Sequence, residues 1–184
     1  VMGPGKPERA KEYFTTLIIA IIVGGAVLSA LCIAFIRPLS VFLGADEALL
    51  SDCVAYGAIM SAGSVFFMLQ TSFQSFCVAA EKPKMGLYLS LAAGGTNMAL
   101  DYLFIGLLGL GPTGLGWGVA GAALATVAGS MVGGLIPLVY FLLPNSSTLR
   151  LVKTHLYPKM LLKSSANGSS ELMTNISASL VTVL

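Results

Sequence analysis

Two polar side chains lie within a long apolar stretch, and their types and spacing could bind a cation. Asp101 lies deep in the nearly uncharged run that begins near Met85, and Asn97 precedes it by four residues. In a helix this spacing places both side chains on one face, about 40° apart. A carboxylate beside an amide carbonyl supplies the oxygen ligands that hard cations prefer. The pair predicts a site for a cation or an exchangeable proton, and a hydrogen bond between helices is the structural alternative.

The composition shows why a carboxylate at this position is unusual. Only 10% of the 184 residues are charged, against about 25% in soluble domains. Hydrophobic types make up 56%, and 21 glycines add to them, which is more apolar surface than one soluble core can bury. The sequence therefore predicts an integral membrane protein, and it excludes a water-soluble enzyme, a nucleic-acid reader and a disordered tail. A charge in the bilayer costs about 2.5–3.5 kcal/mol on insertion scales, so we expect Asp101 to face the interior of a helical bundle.

Four apolar stretches are long enough to cross the bilayer, which takes about 20 helical residues. Open sheets are not tolerated in lipid, so the prediction is an all-α, polytopic transmembrane helical bundle. We expect an internal part of a longer protein, because the chain opens without a signal peptide and closes within an apolar run. The predicted spans are about 15–36, 53–80, 85–108 and 116–143, and a fifth starts at 172–184.

The basic residues predict the orientation. Nine of the 10 Lys and Arg residues fall on one side if the spans alternate, and only Arg37 falls on the other. Positive residues favour the cytoplasmic side. We therefore expect the amino-terminal segment and the polar stretch 144–171 to be cytoplasmic. The nine are Lys6, Arg9, Lys11, Lys82, Lys84, Arg150, Lys153, Lys159 and Lys163.

Small residues recur every four positions in the fourth span, and this spacing lets helix backbones approach closely in lipid. Pro137 removes one backbone hydrogen bond and predicts a kink, with a hinge as a further hypothesis. One row consists of Gly121, Ala125, Gly129 and Gly133, and its neighbour of Gly118, Ala122, Thr126, Ser130 and Gly134.

The second span combines amide, aromatic and thioether side chains, which would suit an amphipathic organic ligand. Ordinary packing or contact with lipid is the alternative for each of them. No catalytic triad, metalloprotease motif or phosphate loop accompanies them, so we predict that the protein is not an enzyme. The candidates for a substrate cavity are Gln70, Gln74, Phe67 and Met68, and Tyr56 lies nearer the start of the span.

Several blocks of the sequence, in their order and spacing, resemble the MATE (multidrug and toxic compound extrusion) transporters. The blocks are GPGKPERAKEY, RPLSVFLGADEAL, AAEKPKMGLYLS, TNMALDYLFIGLLGLG and GWGVAGAALAT. The resemblance implies a two-lobe, twelve-helix transporter. Residues 1–143 would then form the third to sixth helices of the amino-terminal lobe. Residues 144–171 would be the cytoplasmic linker between the lobes, and 172–184 the start of the first helix of the carboxy-terminal lobe.

The resemblance also implies a function and a cation site. MATE transporters exchange amphipathic, often cationic, organic compounds for Na+ or H+, and they need no other cofactor. The family's cation-binding Asn, Asp and Thr correspond to Asn97, Asp101 and Thr126, which would hold the metal ion if sodium is the coupling ion. A Tyr near that site corresponds to Tyr56. The resemblance implies a multi-pass protein of the bacterial cytoplasmic membrane, with small-molecule substrates, the lipid bilayer and the rest of the same polypeptide as partners, and no nucleic acid.

Two alternatives remain open from the sequence. A flippase of lipid-linked oligosaccharides from the same superfamily would need a basic cavity, yet none of the four predicted spans carries Lys or Arg. A non-transporting membrane scaffold subunit would place Asp101 against another helix with no cavity beside it. If Asp101, Asn97 and Thr126 pointed apart, the scaffold would be favoured.

Overall fold

The chain folds into long helices. A computed structural model describes residues 7–107, 118–144, 147, 149–154 and 157–183, and within these ranges it has no strand. The all-α prediction is therefore confirmed. The helices are α1 (Pro7–Phe42), α2 (Glu47–Ala79), α3 (Pro83–Asp101), a π-helix (Tyr102–Leu107), α4 (Gly118–Leu142) and α5 (Pro158–Val183).

Local sequence features explain where α1 ends and α2 begins. Gly44 has a φ of 93°, and the N–H of the next residue, Ala45, donates to the carbonyl of Ser40 over 3.0 Å. This is the left-handed cap that commonly ends a helix at glycine. Asp46 then caps α2, because its carboxylate accepts from the backbone N–H of Leu49 over 2.9 Å. The connection between α1 and α2 is consequently short and tightly defined.

Among the described residues, three helices are long and apolar enough to cross a membrane: α1, α2 and α4. The third predicted span, 85–108, instead divides into α3 and the π-helix. The regular part, α3, is only 19 residues long and contains Lys84, Asn97 and Asp101. These polar residues lower the mean hydropathy of α3 and explain why it falls outside the three, and its crossing of the bilayer stays a prediction.

α2 lies at the centre of the bundle, where it packs against α4 on one side and α1 on the other, while α3 packs mainly against α4. The most tightly packed region is an aromatic cluster near one end of these helices. Phe14 of α1 lies 4.9 Å from Phe76 and 5.1 Å from Phe141, measured between ring centroids. Phe73 stacks on Phe141 at 5.7 Å. Aromatic pairs at these separations stabilise a core beyond the area they bury.

The stretch 144–171, which the sequence predicts to be a linker, contains the start of a helix. α5 begins at Pro158, within that stretch, and continues without interruption to Val183. Proline is favoured in the first helical turn, where its missing N–H costs nothing. The backbone N–H groups of Met160 and Leu161 both donate to the carbonyl of Tyr157 over 3.1 Å. The helix therefore begins well before residue 172, where the sequence predicts the fifth span to start.

Candidate cation site

Asn97 of α3 and Thr126 of α4 meet across the interface between their helices. The Nδ2 of Asn97 donates a hydrogen bond to the Oγ1 of Thr126 over 3.3 Å. The Thr126 hydroxyl in turn donates to the backbone carbonyl of Ala122 over 3.0 Å, which fixes its orientation. With Nδ2 used in this way, the carbonyl oxygen of Asn97 is the atom left to act as a ligand.

Small residues allow this contact. A Cβ atom built on Gly129, three residues after Thr126, would lie 2.8 Å from the carbonyl oxygen of Ala93 and 3.1 Å from the Cβ of Asn97. The backbones of α3 and α4 are therefore as close here as glycine permits. Every member of the first small-residue row is buried, so the packing that the sequence predicts for this row is confirmed.

Asp101 follows Asn97 by one helical turn and is the last residue of α3. Its Oδ1 is buried and has no hydrogen-bond partner among the described residues. A buried carboxylate oxygen without a partner costs free energy that a cation or a proton can offset. No group of three or more His, Cys, Asp or Glu side chains lies close enough to hold a metal within the described ranges. A cation at Asp101 would therefore need neutral oxygen ligands, such as those of Asn97 and Thr126.

Tyr56, the fourth residue predicted for the site, lies on a different helix from these three. It lies on α2, where its side chain is 38% exposed, and its neighbour Gly57 packs against Ile36 of α1. Two helical turns further along α2, Gly63 packs against Val127 of α4. Among the described residues, Tyr56 forms no hydrogen bond with Asn97 or Thr126, and its part in the site stays a prediction.

The four candidates for a substrate cavity point in different directions from α2. Met68 packs against Gly25 of α1, with its Sδ 3.3 Å from the position of an added Cβ. Gln70 packs against Gly133 of α4, and Gln74 donates to the Ser90 hydroxyl of α3 over 3.0 Å. Phe67 is 57% exposed. The structure does not bring them onto one wall, and their contact with a ligand stays a prediction.

Pro137 lies within α4, and the helix continues through it to Leu142. Its side chain is fully buried. Since a proline lacks the N–H that would bond to the carbonyl of Gly133, the helix has one hydrogen bond fewer at this point. The hinge hypothesis for Pro137 stays a prediction.

Two structural features could not be predicted from the sequence. The helix changes to π geometry immediately after Asp101, over Tyr102–Leu107, and such turns often occur at functional sites. Ser64 of α2 also has a buried Oγ without a hydrogen-bond partner among the described residues. A single Ser in an apolar helix carries no sequence signal, and neither proline nor glycine marks the start of the π-helix.

Comparison with known proteins identifies a family for the chain. The family model described as MatE matches residues 1–103, which include all of α3, Asn97 and Asp101. No curated protein and no solved structure matches the chain. The three apolar helices and this match describe a multi-pass membrane protein of a transporter family. With more than half of its length matched, the chain belongs to the MatE family.

Proposed function

We propose that the protein is a cation-coupled efflux antiporter of the bacterial cytoplasmic membrane, which exports amphipathic, often cationic, organic compounds in exchange for Na+ or H+. The observation that carries the proposal is the unpartnered, buried Oδ1 of Asp101, one turn from the hydrogen-bonded pair Asn97 and Thr126. A buried acidic group inside a membrane transporter is the usual mark of an ion or proton pathway.

The proposed site offers three kinds of oxygen to a hard cation: the carboxylate of Asp101, the amide carbonyl of Asn97 and the hydroxyl of Thr126. Such oxygen ligands suit a hard cation without further cofactors. A proton would instead neutralise the carboxylate of Asp101 directly. In both cases the negative charge between α3 and α4 is removed.

Neutralisation provides the coupling in this proposal. A charged Asp101 favours the state in which its carboxylate has water or a cation as a partner, whereas a neutral Asp101 tolerates a drier arrangement of α3 and α4. If the organic substrate binds these two states with different affinities, ion entry drives its release to the outside. The substrates and the bilayer are the proposed partners, together with the rest of the polypeptide.

The test is transport by Asp101→Asn in the full-length protein, reconstituted into liposomes. Efflux of a cationic dye is followed under an imposed Na+ gradient and, separately, under a pH gradient. We expect the variant to lose gradient-driven efflux, because its neutral amide can neither be protonated nor attract a cation. The gradient that drives the wild-type protein identifies the coupling ion.

Asp52→Asn is the matched control, since Asp52 is an exposed carboxylate on α2, and we expect it to transport like the wild type. Undiminished efflux by Asp101→Asn would refute the assignment. Movement of a lipid-linked oligosaccharide, with no gradient-driven efflux of the dye by the wild type, would establish the flippase instead.

A further inference from the structure

A groove of about 750 Å³ lies where α1 begins, α2 ends and α5 passes both. Its wall is apolar and aromatic and includes Tyr13, Phe14 and Leu17 of α1 together with Phe76 of α2. This volume is within the range of pockets that bind a small amphiphile, about 300–1,000 Å³. Neither the cation site nor the proposed antiport uses this groove.

Two lysines lie at the edge of the groove. Lys159 and Lys163 are both exposed and both line it. They are four residues apart on α5, so their side chains share one face of the helix, with about 6 Å of axial rise between them. Neither lysine forms an ion pair or a hydrogen bond with another described residue. Two unpaired positive charges at this spacing repel each other, and an anionic group between them would relieve that repulsion.

The positions of the charged residues indicate that the groove lies near the membrane surface. The apolar part of α1 begins at Phe14, just after the charged Lys11 and Glu12, and α2 ends at Ala79, just before Glu81 and Lys82. The apolar wall therefore reaches toward the hydrocarbon, while the lysines lie at the depth of the lipid headgroups. The distribution of basic residues predicts that this is the cytoplasmic side, whose leaflet is rich in anionic lipids.

We propose that this groove is a binding site for one anionic phospholipid. Its phosphate lies between Lys159 and Lys163, and an acyl chain lies along Phe14, Leu17 and Phe76. Charge complementarity selects the headgroup, and the apolar wall distinguishes a lipid from a free anion. Since α5 contributes both lysines and α1 and α2 contribute the apolar wall, the bound lipid links α5 to the rest of the bundle.

The test measures binding of a fluorescent phosphatidylglycerol to the full-length protein in a neutral detergent. Phosphatidylcholine with the same acyl chains and inorganic phosphate serve as competitors. We expect unlabelled phosphatidylglycerol to displace the fluorescent lipid well, and phosphatidylcholine and inorganic phosphate to displace it weakly. The double variant Lys159→Gln/Lys163→Gln should bind phosphatidylglycerol about 25-fold more weakly, because one lysine near an anionic lipid surface contributes about fivefold.

Two further variants separate the groove from general surface charge. Lys84→Gln removes an exposed lysine of α3 that does not line the groove, and it should change the affinity less than twofold. Ala79→Trp fills the exposed end of the groove, keeps both lysines and should also weaken binding. Wild-type affinity in the double lysine variant, equal competition by phosphatidylcholine, or displacement by inorganic phosphate alone would overturn the proposal.

Discussion

At the scale of single residues, the proposed site depends on one carboxylate and two neutral partners with different roles. Asp101 carries the charge, and its buried Oδ1 lacks a partner among the described residues. Asn97 and Thr126 hold each other across two helices through a 3.3 Å hydrogen bond. In the proposed site the neutral pair would therefore orient the ligands, and the acid would supply the attraction for a cation or a proton.

Thr126→Val tests the orienting role of the hydroxyl. Valine keeps the shape of the side chain but removes the acceptor for the Nδ2 of Asn97, and a hydrogen bond contributes about 0.5–1.5 kcal/mol net. We expect the concentration of coupling ion that gives half-maximal efflux to rise about two- to tenfold. Transport is measured in liposomes at varied Na+ concentration and pH.

The control for this substitution is Thr71→Val. Thr71 is an exposed threonine of α2 whose hydroxyl donates to the carbonyl of Phe67, so it has the same chemistry away from the site. An unchanged ion dependence in Thr126→Val, or an equal change in Thr71→Val, would show that the Thr126 hydroxyl does not orient the site.

Asp101 and Asn97 could be selected from the sequence, but some of the residues around them could not. Asp101 stands out because charge is costly at membrane depth, and Asn97 because a spacing of four residues means one helical face. Thr126 was indicated only by family resemblance, since a threonine in a row of small residues is explained equally well by helix packing. Ser64 could not be found, because its lack of a partner is a property of three-dimensional packing.

At the scale of helices, the distance between α3 and α4 decides whether Asn97 can reach Thr126. Gly129 sets that distance, because an added Cβ would lie 2.8 Å from the backbone oxygen of Ala93. A backbone atom cannot move aside as a flexible side chain can. The two helices would have to separate to admit any larger residue.

Gly129→Ala is therefore expected to destabilise the protein and to weaken the site together. Overpacking of this kind costs about 1–3 kcal/mol in the free energy of unfolding, which can be measured by thermal or denaturant unfolding in detergent. Gly94→Ala on α3 is the control, since an added Cβ there meets nothing within 4 Å. Equal stability of the two variants would contradict the close approach of α3 and α4.

The existence of the helices was easier to predict than their ends. Long apolar runs predict helices because lipid leaves no other partner for the backbone, and the structure has α1, α2 and α4 where three of the spans were predicted. The change to π geometry after Asp101 and the early start of α5 depend on neighbouring helices and local hydrogen bonds. Hydropathy carries no information about either.

At the scale of the whole molecule, the chain that follows α4 packs against the start of α1 and closes the bundle there. The described part of the segment after α4, residues 149–154 and 157, contacts the start of α1 at several points. The backbone N–H of Val152 donates to the Thr15 hydroxyl over 3.0 Å, and the Tyr157 hydroxyl donates to the Glu12 carboxylate over 2.8 Å. Leu149 is only 4% exposed. Together these contacts fix the start of α5 relative to α1.

This closure should depend on pH through Tyr157. The hydrogen bond to the Glu12 carboxylate, with smaller contributions from burial and from the negative charge of Glu12, raises the pKa of Tyr157 above its usual value of about 10. A raised pKa in the folded state means that the stabilisation is fully present below pH of about 10 and is lost as the pH rises through the raised value.

We therefore expect Tyr157→Phe to lower the unfolding temperature at neutral pH, and the difference from the wild type to disappear at strongly alkaline pH. Tyr88→Phe is the control, because Tyr88 is 68% exposed and its substitution should change little. The measurement is thermal unfolding in detergent across the alkaline range. A difference that persists unchanged at high pH would show that the Tyr157–Glu12 bond is not its cause.

The return of the chain to α1 also has a consequence for biosynthesis. Glu12 and Tyr157 are separated by 145 positions, and ribosomes add about 5–20 residues per second. The start of α1 must wait about 7–29 s after its own synthesis for Tyr157 to be made. During that interval Phe14 lacks Phe141 as a partner, so the first described helix to enter the membrane is among the last to complete its packing.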